Sequence, residues 1–251
     1  MTSFASVERY SRQMFLFGSE GQKVLSESSI AVIGAGGIGS TAILYLVGAG
    51  VGHVHVFDND AIERSNLHRQ IIHVDSRCGS SKAASAAESA ASLNPSISCT
   101  FEDARVTADN AIDLLSCYNV VVDCSDNMAT RYLLNDACFF LRIPLVSGSA
   151  IGFEGQATVF LNTVGNGGSR TPTLAQQRLC RNLDMEADAL PCYRCVHPRP
   201  TRANLCQSCN GSGVFGPLPG LVGCMMASEA MKIVMLSSDA CAEAIPSGMT
   251  V

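Results

Sequence analysis

Basic charge is in short supply here. Seventeen lysines and arginines against 22 acidic residues leave the chain at −5, the wrong sign for a general nucleic-acid binder. Charge of either sign is scarce, 16% of residues against 47% hydrophobic, which excludes a disordered chain and fits a globular one. Long hydrophobic runs are missing too: the longest stop short of the ~18 residues that a spanning helix needs. Met1 to Arg12 shows no charged segment followed by an apolar block, the pattern of an exported protein. The expectation is a cytoplasmic or nuclear protein without membrane association. A chain of 251 residues can build one large α/β domain and bury roughly 70–75% of its unfolded surface. No repeat or second domain boundary stands out, so one domain over 1–251 is expected.

Without an export pattern, twelve cysteines point to thiols, metal ligands or catalysis rather than disulfides. Cys124, Cys138 and Cys224 fall in apolar segments and read as core. His53, His55, His68, His73 and His197 have no ligand spacing and read as structural.

Apolar periodicity alternates between strand and helix. Strands are expected at 29–34, 54–57, 97–101, 119–123, 144–147 and 156–161, with helices at 37–49, 80–93, 108–117, 128–141 and 221–236. Such alternation gives a Rossmann-like, mainly parallel sheet with helices on both faces. Between 162 and 190 the pattern dissolves; this insertion is a lid or a flexible segment, with a short basic helix expected at 173–183. Residues 191–213 form a cysteine-bearing loop.

The most specific local signal is Gly34-Ala-Gly36-Gly37-Ile-Gly39, directly behind the apolar run at 29–33. Glycine is needed where the backbone turns tightly and approaches phosphates, and the following helix offers free N–H groups to an anion. Asp58 follows Gly39 by nineteen residues at the end of the second strand, placed for ribose hydroxyls that NAD and ATP share. Two absences weigh against a dehydrogenase. No tyrosine has a lysine four residues on, and no separate substrate domain could supply a catalytic histidine. Arg69 and Lys82, by contrast, suit an enzyme attacking a triphosphate, where charge grows on the leaving pyrophosphate. Asp126 follows the fourth strand at its C-terminal edge, where a carboxylate can hold Mg2+ across phosphates.

Several stretches carry a family resemblance: Arg9-Tyr-Ser-Arg12-Gln13, the 34–39 loop, Ser65-Asn-Leu-x-Arg69-Gln70, Lys82, Asp123-Cys-Ser-Asp126-Asn127, Glu154-Gly-Gln156 and Pro191-Cys-Tyr-Arg-Cys195. Together they resemble the ThiF/MoeB family of ubiquitin-activating-enzyme-like adenylyltransferases across nearly the whole chain. Thr130 to Cys138 and the block around Cys209 are most similar to the eukaryotic branch that serves tRNA thiolation and molybdopterin synthesis. The resemblance implies ATP-dependent adenylation of the C-terminal Gly-Gly carboxylate of a ubiquitin-like sulfur carrier. It implies Asp126 as the Mg2+-binding catalytic acid and Arg69 and Lys82 on the phosphates. It places Asn66 and Asp60 beside them and Asp58 on the ribose. Arg12 would reach into a neighbouring subunit, which implies a homodimer. Adenylation of a small-molecule or RNA-bound carboxylate and a catalytically silent scaffold are the competing readings.

Cys192-x-x-Cys195 has the spacing of a zinc knuckle, which wants four ligands. Relatives complete it with a second Cys-x-x-Cys near the C-terminus; here only Cys241 follows Leu236, and Cys206-Gln-Ser-Cys209 is the available second pair. Cys209 also occupies the place of the family's crossover-loop cysteine, which links covalently to the carrier. One thiolate cannot be both a closed zinc ligand and a free nucleophile, and its Gly-Val-x-Gly surroundings favour the nucleophile. The rhodanese domain of the eukaryotic branch does not occur in these residues: either a separate protein donates sulfur, or the chain is incomplete, or only adenylation remains.

Overall fold

The computed structural model describes residues 4–161, 177, 190–199 and 213–238. The expected helix at 173–183, most of the 162–190 insertion, and Cys206, Cys209 and Cys241 lie outside the described residues.

Strands β1 (Ser29–Ile33), β2 (His53–Phe57), β3 (Ser98–Glu102), β4 (Val120–Asp123), β5 (Leu145–Ile151) and β6 (Glu154–Phe160) form one sheet in the order β3-β2-β1-β4-β5-β6. All pairs are parallel except β5–β6. The central strands β1 and β4 are apolar except at Ser29 and Asp123, because both faces are covered. Ile30, Val32, Val120 and Val122 enter one core, whereas Ala31, Ile33 and Val121 enter the other. The first core is closed by α1 (Phe4–Ser26), α2 (Gly37–Ala49), α3 (Lys82–Leu93) and the last described helix, Pro217–Leu236. The second is closed by α4 (Ala111–Leu115), α5 (Met128–Leu141) and the single turn α6 (Tyr193–Val196). The helix at Pro217–Leu236 is therefore α7.

Strand order reverses between β1 and β4, so the loops after these two strands diverge and leave a crevice at their C-terminal ends. The expected α/β alternation is present, with local differences. β5 runs on to Ile151 because β6 pairs with it down to Ile151↔Glu154. α7 starts at Pro217, not 221; Pro217 and Pro219 occupy its first turn, where a missing N–H removes no helical bond. By length and composition α7 could cross a membrane, but it packs as a core helix with half of its apolar window buried. Cys124 and Cys138 are core residues as expected, whereas Cys224 is only half-buried at the edge of α7.

α1 was not legible in the sequence. It kinks at Phe17–Gly18, where Gly18 has φ 72°, and is tied down by polar contacts. Gln13 Nε2 donates to the Ala49 carbonyl at 2.6 Å, and the fully buried Asn94 donates to Tyr10 Oη at 2.7 Å and to the Val47 carbonyl at 2.9 Å.

Three of the five histidines bond within the fold. His53 bonds Ser29 Oγ and Thr100 Oγ1, His55 shares Thr100 Oγ1, and His73 lies between Ser85 Oγ and the Ala35 carbonyl. Burial lowers the His73 pKa below its ordinary value, and nearby Lys82 and Arg77 add to the effect. The unfolded chain then binds the proton more readily than the folded one below pH ~6.5. On acidification from pH 7.5 to 5.5, the urea midpoint of the wild type falls relative to that of His73→Gln. Parallel midpoints across that range would refute this account of His73.

Candidate functional site

The crevice is a cleft of about 330 Å³ lined by Gly34, Gly36, Gly37, Asp58, Asp60, Arg69, Lys82 and Asp126, among others. Eight residues singled out in the sequence thus meet in one place, from five separate stretches of chain.

The glycine loop owes its form to different constraints at each position. Gly34 has φ +101°, and a Cβ there would lie 2.9 Å from the Cys124 carbonyl oxygen. A Cβ at Gly39 would lie 2.0 Å from the Gly34 carbonyl oxygen, so this residue lets α2 pack under the loop rather than lining the cleft. At Gly36 the nearest atom is Gln70 Nε2 at 3.7 Å; the space beside this backbone is open. Gly36 is the N-cap of α2 and brings no capping side chain. The helix's first N–H groups are left for a ligand, and the helix dipole favours an anion there.

Asp58 clamps the loop. Its Oδ2 accepts the Ala35 N–H at 2.7 Å and its Oδ1 accepts the Asp60 N–H at 2.8 Å. On the other side His73 Nε2 is 2.9 Å from the Ala35 carbonyl oxygen, so both ends of that residue are held. Burial raises the Asp58 pKa above the usual carboxyl value, opposed by these two N–H donors and by Lys82. Each carboxylate oxygen keeps a second lone pair for a hydroxyl donor.

Lys82 begins α3, is only 6% exposed, and places Nζ 2.8 Å from Asp60 Oδ2. A solvated helix-start lysine would stand in water; this one stands in the wall of the cleft. Asp60, a residue placed by its sequence position with the nucleotide, meets it by pairing with this lysine. Arg69 donates from Nη2 to Asn66 Oδ1 at 2.7 Å. Asn66 therefore orients the arginine rather than lining the cleft itself. Asp126 is exposed, and the capping role it could have taken falls to Asn127, whose Oδ1 accepts the Thr130 N–H at 2.9 Å.

Sequence reasoning did not single out Arg131, Gln70 or Arg105 as site residues, although all three line the cleft. Arg131 lies four residues after the α5 N-cap, a spacing that could have placed it on the cleft side. Arg12 is exposed on α1 and does not line the cleft.

Cys192 is the N-cap of α6 and Cys195 lies within it, their sulfurs 3.7 Å apart. Two thiolates on one tetrahedral zinc, each at ~2.3 Å, would stand about 3.8 Å apart, so the pair fits half of such a site. The turn is fixed without metal: Asn135 Oδ1 accepts the Tyr193 N–H at 2.8 Å, and Arg194 makes a two-pronged ion pair with Asp136 at 2.6 Å. Among the described residues no group of three or more His, Cys, Asp and Glu side chains is placed to hold a metal. Cys206 and Cys209, the remaining candidates, lie outside them. Downstream, the Gly152 N–H donates to the Gly213 carbonyl and the Phe215 N–H to the Gly152 carbonyl, bringing Val214 into the cleft wall.

Solved structures share this fold. Escherichia coli TcdA, a tRNA N6-threonylcarbamoyladenosine dehydratase in complex with ATP, aligns at TM-score 0.69 and 23% identity over 94% of this chain and 97% of its own. Escherichia coli MccB with AMPCPP and MccA aligns at 0.70 and 18% identity, over 93% of this chain and 66% of its own. Among curated proteins, "Adenylyltransferase and sulfurtransferase MOCS3" of Drosophila persimilis is 43% identical over 91% of this chain and 46% of its own length. The protein of that name in Arabidopsis thaliana is 41% identical over 94% of this chain and 46% of its own. The chain thus spans a little under half the length of these curated relatives. The ThiF family profile matches from residue 10 to residue 245, and the chain belongs to that family.

Proposed function

We propose that this chain adenylates the C-terminal Gly-Gly carboxylate of a ubiquitin-like sulfur-carrier protein, preparing it for thiocarboxylation in tRNA thiolation or molybdopterin synthesis. The observation that carries the reading is the meeting, in one cleft, of an uncapped helix start, the buried Lys82, the oriented Arg69 and the exposed Asp126. The names of the curated relatives, adenylyltransferase and sulfurtransferase, agree with it.

In this reading the α2 N-terminus and glycine loop bind the ATP phosphates, and Asp58 accepts from the ribose hydroxyls. The carrier carboxylate attacks the α-phosphorus, the bond to the β-phosphate bridging oxygen breaks, and pyrophosphate leaves. Lys82 and Arg69 face the charge that accumulates on the leaving group. Asp126 would hold Mg2+, which neutralises phosphate charge when bound. Cys192 and Cys195 would supply two zinc thiolates, with Cys206 a candidate for the same ion. Cys209, four residues before the cleft-wall segment at Gly213, is the candidate nucleophile that takes the activated carrier. Arg12, exposed on α1, would complete the site of a second copy in a homodimer, and a separate protein would donate sulfur.

ATP–pyrophosphate exchange tests the reading. Exchange is expected only when a Gly-Gly-ended β-grasp carrier is added, and it disappears when the terminal glycine is removed. Exchange that needs no carrier, or that no such carrier elicits, would overturn it.

A further inference from the structure

Asp126 is exposed in the cleft, and what holds it in place lies behind it. Asp123, wholly buried at the end of β4, accepts the Ser125 N–H at 3.0 Å and the Ser125 hydroxyl at 2.6 Å through Oδ1. Its Oδ2 accepts from Ser147 of β5 at 2.8 Å. From the opposite side Arg131 Nη2 donates to the Ser125 carbonyl at 3.1 Å and to the Gly148 carbonyl of β5 at 3.0 Å. The residue before Asp126 is thus gripped at its N–H, hydroxyl and carbonyl, and both grips tie it to the neighbouring strand. Asn127, the residue after, is fixed as the α5 cap. A carboxylate between two immobilised neighbours has little freedom beyond its own side-chain torsions.

We propose that Arg131 is a positioning residue that sets the place of the Asp126 carboxylate by clamping Ser125 to β5. The arginine is suited to this because one guanidinium nitrogen reaches two carbonyls while its charge faces the buried Asp123. Burial raises the Asp123 pKa, and Arg131 is the largest opposing influence. Tyr193 of α6 lies within its field on the far side. The inference rests on the proposed role of Asp126 as the Mg2+ ligand, and its test separates the two.

The first measurement needs neither metal nor carrier: amide hydrogen exchange of the nucleotide-free protein. In Arg131→Gln, exchange at Ser125 and Thr130, whose bonded N–H groups bracket Asp126, rises about tenfold, while Val32 and Val122 in the sheet keep wild-type protection. Arg131→Lys, which keeps the charge, restores most of it. The second measurement is the factor by which Mg2+ tightens ATP binding. Asp126→Ala and Arg131→Gln each reduce that factor about fivefold or more, and the double variant loses no more than Asp126→Ala alone.

Normal exchange at Ser125 and Thr130 in Arg131→Gln, or faster exchange throughout β1 and β4, would overturn the proposal. So would additive losses in the double variant. An Asp126→Ala protein with wild-type Mg2+ coupling would instead remove the reading of Asp126 itself. Should Arg131→Gln fail to fold, Asp123→Asn/Arg131→Gln is compared with Asp123→Asn alone, so that the two proteins differ only in the arginine clamp on the Ser125 and Gly148 carbonyls.

Discussion

Lys82→Ala lowers carrier-dependent ATP–pyrophosphate exchange by about 10²–10³-fold, equivalent to roughly 3–4 kcal/mol of transition-state stabilisation, with almost no change in thermal stability. The two halves of that result come from the same geometry. The lysine is buried in the cleft wall, and its partner Asp60 has a side chain 63% exposed. Deleting the lysine leaves Asp60 free to be solvated, so no charge is stranded in the interior and the folded state loses little. What disappears is a preorganised ammonium in the wall of the cleft. Lys82→Arg should recover only part of the rate, because a planar fork cannot stand where a compact ammonium does. A Lys82→Ala protein with near-normal exchange would show that the Asp60 pair is only a structural tie between the β2 loop and α3.

Gly39→Ala is expected to have the largest effect on stability, on the order of 3 kcal/mol, or roughly 10 °C in melting temperature. The added methyl would stand 2.0 Å from the Gly34 carbonyl oxygen. Neither group is the flexible end of a side chain, so α2 or the loop must move. Gly36→Ala gives the opposite pattern. Its methyl meets nothing closer than 3.7 Å, so the melting temperature stays within a few degrees, but the group projects into the cradle and ATP binding weakens. Calorimetry and nucleotide titration on the two variants separate a glycine that makes the fold from one that admits the ligand. Equal loss of stability in both would refute the distinction.

The β1–loop–α2 unit was legible because its requirements are local: both-face burial of four consecutive residues, Ile30 to Ile33, then glycine where no Cβ fits. The residues converging on the cleft were legible through their motifs, and the fold explains their spacing. Arg69 comes three residues after Asn66 so that the amide can hold its guanidinium. Asp126 precedes the Asn127 cap so that the helix does not consume its carboxylate. α1 was not legible, because it has no continuous apolar stripe: Phe15 and Leu16 are 84% and 58% exposed, while Tyr10 and Leu25 are buried. Arg131 was missed for another reason. Its partners are the main-chain carbonyls of Ser125 and Gly148, and a sequence does not show which carbonyls a fold will bring together.

The contact between α2 and α7 reaches beyond the site. Gly223 packs where a Cβ would lie 2.2 Å from the Ile38 carbonyl oxygen, and Thr41 Oγ1 donates to the Gly220 carbonyl at 2.8 Å. Val222 and Met226 close the core above Gly148 of β5. The helix proposed to cradle phosphate is therefore synthesised about 170 residues before the helix that seats it. On a ribosome making about 5–20 residues per second, the nascent glycine loop waits some ten seconds or more for its partner. The proposed nucleotide cradle therefore awaits α7, and a translation product released before that helix has no seat for it.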